Sequence, residues 1–104
     1  MDEIQERALN TWYAKPHPLY GDWRPAAMGL SGESGELLDL IKKHYYKPEF
    51  CANLSAIKDE LGDVLFYLSI LAHYAGLTLD ELSQRNYDKL AAREAEGTGY
   101  NRGE

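Results

Sequence analysis

Ile57, Leu61, Val64, Leu68 and Leu71 follow one another at intervals of 4, 3, 4 and 3 residues, and that spacing decides most of what this chain can fold into. It lays five branched apolar side chains along one side of an α-helix, as a seam that must be covered by another helix. A β-strand would require strict alternation of apolar and polar residues, and no stretch of the 104 residues sustains it. There is no internal repeat. The expectation is an all-α fold.

Glycine and proline divide the chain into four helical segments. The first covers about residues 2–15, with Ile4, Ala8, Leu9 and Trp12 at helical spacing, and stops before Pro16. Residues 16–24 form a loop carrying Tyr20 and Trp23. Pro25 suits the first position of the second helix, where a missing N–H costs nothing, and this helix continues to Tyr46, ahead of Pro48. The seam-bearing third helix covers about 53–74, with Gly76 placed as its C-terminal cap. Thr78-Leu79-Asp80-Glu81 is a capping box that opens a fourth helix ending near Ala95. Residues 1–96 thus make a single domain resembling a four-helix bundle, and 97–104 a Gly-rich C-terminal tail. Leu65, Ile70 and Tyr74 lie off the principal seam, so at least a homodimer, or a homotetramer, is expected.

Acidic residues number 17 against 11 basic ones, a net charge of −6. That balance argues against a general binder of nucleic-acid polymers, which would need a basic face to meet the phosphates. No apolar run approaches the roughly 20 residues needed to cross a bilayer. The single Cys51 and the acidic, polar start of the chain fit a reducing cytoplasm, and no membrane partner is expected.

The placement of the acids is more telling than their number. On the second helix Ala26, Leu30, Leu37 and Leu40 share one apolar sector, and Glu33 falls near its centre. Glu36 lies about 60° to one side, adjoining Glu33 on the helix surface. On the third helix Glu60 flanks the seam, with Asp63 one step further round the same side. Burying an isolated carboxylate costs several kcal/mol, so acids on core-facing surfaces need partners. The alternative is that they are solvated face residues, with Glu33 reaching out of its stripe. Two acid pairs brought to a shared interior would instead call for a divalent cation. All-oxygen ligation without Cys or His selects Mg²⁺, with Mn²⁺ possible, rather than zinc. Gly29, Gly32 and Gly35 recur every third position beside these acids; each costs about 1 kcal/mol in a helix, which implies close backbone packing or a poor helix.

Asn86, Lys89 and Arg93 share one face of the fourth helix, with Arg85 placed to join them. Such donors suit a metal-bound polyphosphate, although cations near a helix C-terminus also serve the helix dipole. Trp12 and Trp23 are candidates, with Gln5, for a base pocket formed by the first helix and the 16–24 loop. His17, His44 and His73 share no spacing, and neither a zinc-protease motif nor a di-iron Glu-x-x-His pair is present.

Glu33-Ser34-Gly35-Glu36 followed, after 23 residues, by Glu60-Leu61-Gly62-Asp63 resembles the signature of MazG-like nucleotide pyrophosphohydrolases. Asn86-Tyr87-Asp88-Lys89-Leu90-Ala91-Ala92-Arg93 is similar to a further segment of that family, and the resemblance extends over about 26–102. Gly97-Thr98-Gly99-Tyr100-Asn101-Arg102 is similar to the ending of short, often phage-encoded members, with Tyr100 in place of an Asp. The resemblance implies an oligomeric all-α fold and Mg²⁺-dependent cleavage of a nucleoside triphosphate to the monophosphate and pyrophosphate, in a bacterial or phage-infected cytoplasm. It implies Glu33, Glu36, Glu60 and Asp63 as metal ligands, Glu33 or Glu36 as acceptor of the water proton, and Asn86, Lys89 and Arg93 on the phosphates. Arg102 in the tail is expected to close over the nucleotide. The competing expectation is a helical oligomerisation or regulatory module that binds nucleotide without turnover.

Overall fold

A computed structural model describes residues 1–14, 21–47 and 54–97. They form four α-helices, α1 (Glu3–Trp12), α2 (Trp23–Tyr46), α3 (Leu54–Tyr74) and α4 (Leu79–Ala95), with no strand among the described residues. The helix starts follow local chemistry. Asp22 caps α2 by accepting the Arg24 N–H at 2.8 Å, so α2 begins at Trp23 and Pro25 takes the third helical position instead of the first. The ring is still tolerated there, because N–H groups of the first turn have no partner within the helix. Thr78 accepts the Glu81 N–H and Glu81 accepts the Thr78 N–H, both at 3.0 Å, which is the capping box at the head of α4.

Helix α3 is the axis of the molecule, packed against α1 on one side and α2 on another. Tyr67 of α3 meets Gly29 of α2, and Glu60 meets Glu33 and Glu36, so α2 and α3 run antiparallel. Being covered from two sides, α3 buries a wider surface than one stripe. Ile70, expected on a spare outer face, is 0% exposed at the centre of the core with Ala8, Leu9 and Ala26. Leu61, a member of the predicted seam, is 52% exposed. Tyr74 also turns inward: its hydroxyl accepts the Trp12 indole N–H at 2.9 Å and the Gly21 N–H at 3.2 Å.

The chain turns sharply after α3. Gly76 adopts φ +77°, a left-handed conformation that glycine enters without a Cβ penalty. The Leu77 N–H then bonds back to the Ala72 carbonyl at 2.9 Å, closing a Schellman-type cap. Helix α4 leaves at 89° to α3 and carries no buried residue. Gln5, 1% exposed, ties this corner to α1. Its amide donates to the Leu77 carbonyl at 2.8 Å and accepts the Asp2 N–H at 3.2 Å. That engagement overturns its expected part in a base pocket. The radius of gyration is 16.7 Å, against about 13 Å for a compact domain of this length. The protomer is open because α4 stands away from the rest. No single described helix is long and apolar enough to cross a membrane.

Candidate metal centre

The antiparallel pairing of α2 and α3 sets Glu33 and Glu36 opposite Glu60. Each of the three offers a carboxylate oxygen, and those oxygens lie within 4.8 Å of one another. Glu33 and Glu60 are half-buried, whereas Glu36 is exposed. Glu33 Oε2 and Glu60 Oε2 are shielded from solvent yet have no hydrogen-bond partner. Shielded carboxylate oxygens are costly unless something positive meets them. None of the ion pairs among the described residues, Glu3–Arg7, Asp22–Arg24 and Asp39–Lys43, reaches this cluster.

The electrostatics respond as expected for crowded acids. Glu60 is pushed up to about 7 from an ordinary 4.5, first by the facing Glu33 carboxyl, then by desolvation, then by the charges of Glu33, Glu36 and Asp63. Crowding of this kind is relieved in part by protonation and more fully by a cation. Asp63, one turn along α3 from Glu60 and exposed, adds charge but stands outside the close trio. Three converging carboxylates with two unpartnered inward oxygens are a donor set that fits a hard, oxygen-preferring divalent ion.

The raised value of Glu60 has a testable sign. The folded state binds a proton at Glu60 that the unfolded chain releases above about 4.5, so this contribution to stability is present at low pH and is lost as pH rises through about 7. With chelator present, the melting temperature is therefore expected to fall between pH 5 and 8, and to fall less in Glu60→Gln. A melting temperature independent of pH in the metal-free wild type would contradict this arrangement.

The glycine row beside the acids divides in two. A Cβ on Gly29 would lie 2.3 Å from Tyr67 Cε1, so Gly29 is needed for close packing. Gly32 and Gly35 face open space and, with Glu36, Asp39, Leu40 and Glu60, line a cleft of about 440 Å³. Asp39, three residues past Glu36, continues the acid row along α2; the spacing held that signal, although Asp39 was not among the expected site residues.

The other expected residues lie elsewhere. Asn86 and Lys89, together with Arg85, line a hollow of about 420 Å³ on α4, and Arg93 lies in the last turn of the same helix. Glu60 is 14 residues before the end of α3, or about 20 Å along the axis, and α4 departs from that far end at 89°. One chain therefore does not bring the basic residues of α4 to the acids. Trp12 packs its ring at 6.3 Å from both Phe66 and Tyr67, at the edge of the core; the adjoining Tyr67 touches α2 one turn before Glu33. Trp23 is exposed at the start of α2. Cys51, Asn101 and Arg102 lie outside the described residues, as does the tail beyond Gly97.

Comparison with known proteins bears on the same helices. A family model described as the MazG nucleotide pyrophosphohydrolase domain matches residues 26–97. The "Gene 37 protein" of Mycobacterium phage L5 is 35% identical over 82 residues, which are 72% of this chain and 72% of that protein. No solved structure matches. The family match takes in almost all of α2 and the whole of α3 and α4, and so both the acid cluster and the basic helix; the chain belongs to the MazG nucleotide pyrophosphohydrolase family.

Proposed function

We propose that the protein is a metal-dependent pyrophosphohydrolase that cleaves a nucleoside triphosphate, ribo or deoxy, to the monophosphate and pyrophosphate. The observation that carries this reading is the convergence of Glu33, Glu36 and Glu60 within 4.8 Å, with two shielded oxygens lacking any partner. Glu33, Glu36 and Glu60, with Asp63 nearby, would hold Mg²⁺ or Mn²⁺. When bound, the ion supplies charge neutralisation for the polyphosphate and lowers the pKa of a coordinated water. Glu36, an exposed acid that lines the cleft with Asp39 and Glu60, is the member of the trio we assign to accept the water proton. The glycines at 32 and 35 leave the cleft wall free of side chains, so a phosphate chain can approach the helix backbone.

Asn86, Lys89 and Arg93 then serve the phosphates from a second copy of the chain. Two observations support this part: α4 has no buried residue, and Leu38, Leu61 and Leu65 on α2 and α3 are exposed. A homodimer or homotetramer covers these apolar side chains and brings a neighbour's α4 toward the acids. Trp12 and Arg102 remain proposed contacts to the base and the phosphates, with the cytoplasm as the site of action.

The test is release of pyrophosphate from a panel of ribo- and deoxynucleoside triphosphates with Mg²⁺ or Mn²⁺. Turnover of at least one nucleotide that stops on chelation is the expected result; nucleotide binding without turnover would leave a regulatory module in its place. Light scattering at micromolar concentration is expected to show a multiple of the 11.8 kDa chain mass, and a monomer would remove the shared site.

A further inference from the structure

The cleft beside the acids does not end at Asp39. Asp39 also lines a second hollow of about 330 Å³, formed with Lys42, Lys43, Tyr46 and Lys47 at the C-terminal end of α2. The two hollows share this residue and succeed one another along a single helix. Lys43 Nζ pairs with Asp39 Oδ2 at 2.9 Å, which holds the ammonium at the junction. Three lysines against one carboxylate make this the positive end of a groove whose other end is acidic. From Glu36 to Lys43 is seven residues, or about 10 Å of helix. A triphosphate and an extended lysine arm together bridge that span. The cations of α4 lie beyond the far end of α3, so the lysines of α2 are those of the same helix that adjoin the acid cleft within one chain.

A helix C-terminus attracts cations through its dipole, and that accounts for a lysine there. It does not account for three of them lining a hollow that shares Asp39 with the cleft beside the acids. We infer that Lys42, Lys43 and Lys47 receive the terminal phosphates of the nucleotide, the portion that departs as pyrophosphate. This inference rests on the pyrophosphohydrolase reading above. In that reaction the water oxygen bonds to the α-phosphorus and the bond from that phosphorus to the bridging oxygen breaks. The electron pair leaves with pyrophosphate, and the water proton goes to Glu36. Negative charge therefore grows on the departing group, where ammonium donors are most effective. Lys43 exchanges Asp39 for phosphate as the group arrives, and Asp39 reclaims it when the product leaves.

The experiment is a calorimetric titration of the full chain, in Mg²⁺, with inorganic pyrophosphate and separately with a nucleoside monophosphate. The Lys42→Gln/Lys47→Gln variant is expected to weaken pyrophosphate binding about tenfold or more, equivalent to losing one or two charge-assisted contacts. Monophosphate affinity is expected to change less than about twofold, and Lys42→Arg/Lys47→Arg to restore pyrophosphate binding with unchanged helix content by circular dichroism. Equal pyrophosphate affinity in wild type and the Gln variant would overturn the inference, even if the wild type hydrolyses nucleotides. Lysine-dependent pyrophosphate binding in a wild type that hydrolyses nothing would sustain the site and remove the enzymatic reading instead.

Discussion

Glu36→Gln is expected to lower kcat by about 10²–10⁴-fold, the usual worth of a positioned general base, while leaving the fold intact. Glu36 is exposed, belongs to no part of the core, and lines the open cleft. The amide keeps the size of the side chain but cannot accept the water proton. Glu33→Gln should also cost activity, with a different signature. It neutralises one of the carboxyls that push Glu60 upward, so the metal-free variant should lose much of the wild-type pH dependence of stability. Measuring pyrophosphate release and chelated melting curves on both variants separates the roles. Activity of Glu36→Gln within a few-fold of wild type would remove Glu36 as the base.

Gly29→Val is the substitution with the largest expected effect on stability. Its Cβ would meet Tyr67 at 2.3 Å from Cε1 and 2.5 Å from Cζ. The ring has little freedom to move away, since it stands edge-on to Phe66 at 5.1 Å and to Trp12 at 6.3 Å. Overpacking of this kind costs about 1–3 kcal/mol, or a fall in Tm of roughly 4–20 °C for a domain of this size. Gly32→Ala makes the contrast: nothing lies within 4 Å of its Cβ, so the better helix propensity of Ala, up to about 1 kcal/mol, should hold or raise the Tm. If its activity nevertheless drops, the open face at Gly32 is occupied during turnover. A Gly29→Val protein melting with wild type would show that α2 and α3 pack differently from the arrangement described.

The legible part of the site was the pair of acid spacings. Residues three apart adjoin on any helix, so Glu33 with Glu36 and Glu60 with Asp63 could be placed before any tertiary contact was known. The convergence of one pair on the other was not legible, because it depends on the antiparallel register that puts Glu60 opposite Glu33. That register selected Glu60 and left Asp63 outside the close trio. Gln5 shows the same limit: a buried amide bonding a carbonyl 72 residues away leaves no periodic trace. Trp12 could stack on a base, although an aromatic in a small domain more often joins the core, and its indole N–H on Tyr74 places it at the edge of the core.

Helix number, helix type, the glycine corner at 76 and the capping box at Thr78 were determined by the sequence alone, since each depends on residues within one or two turns. Tertiary structure alone decided which side of each helix is covered. Helix α3 is clasped by α1 and α2 from two directions, so Ile70 became the centre of the core and Leu61 came to face outward. It also decided that α4 turns away at 89°, separating Asn86 and Lys89 from the acids in a single chain. Periodicity defines a stripe on a cylinder, whereas the rotation and direction of that cylinder follow from contacts distant in the chain.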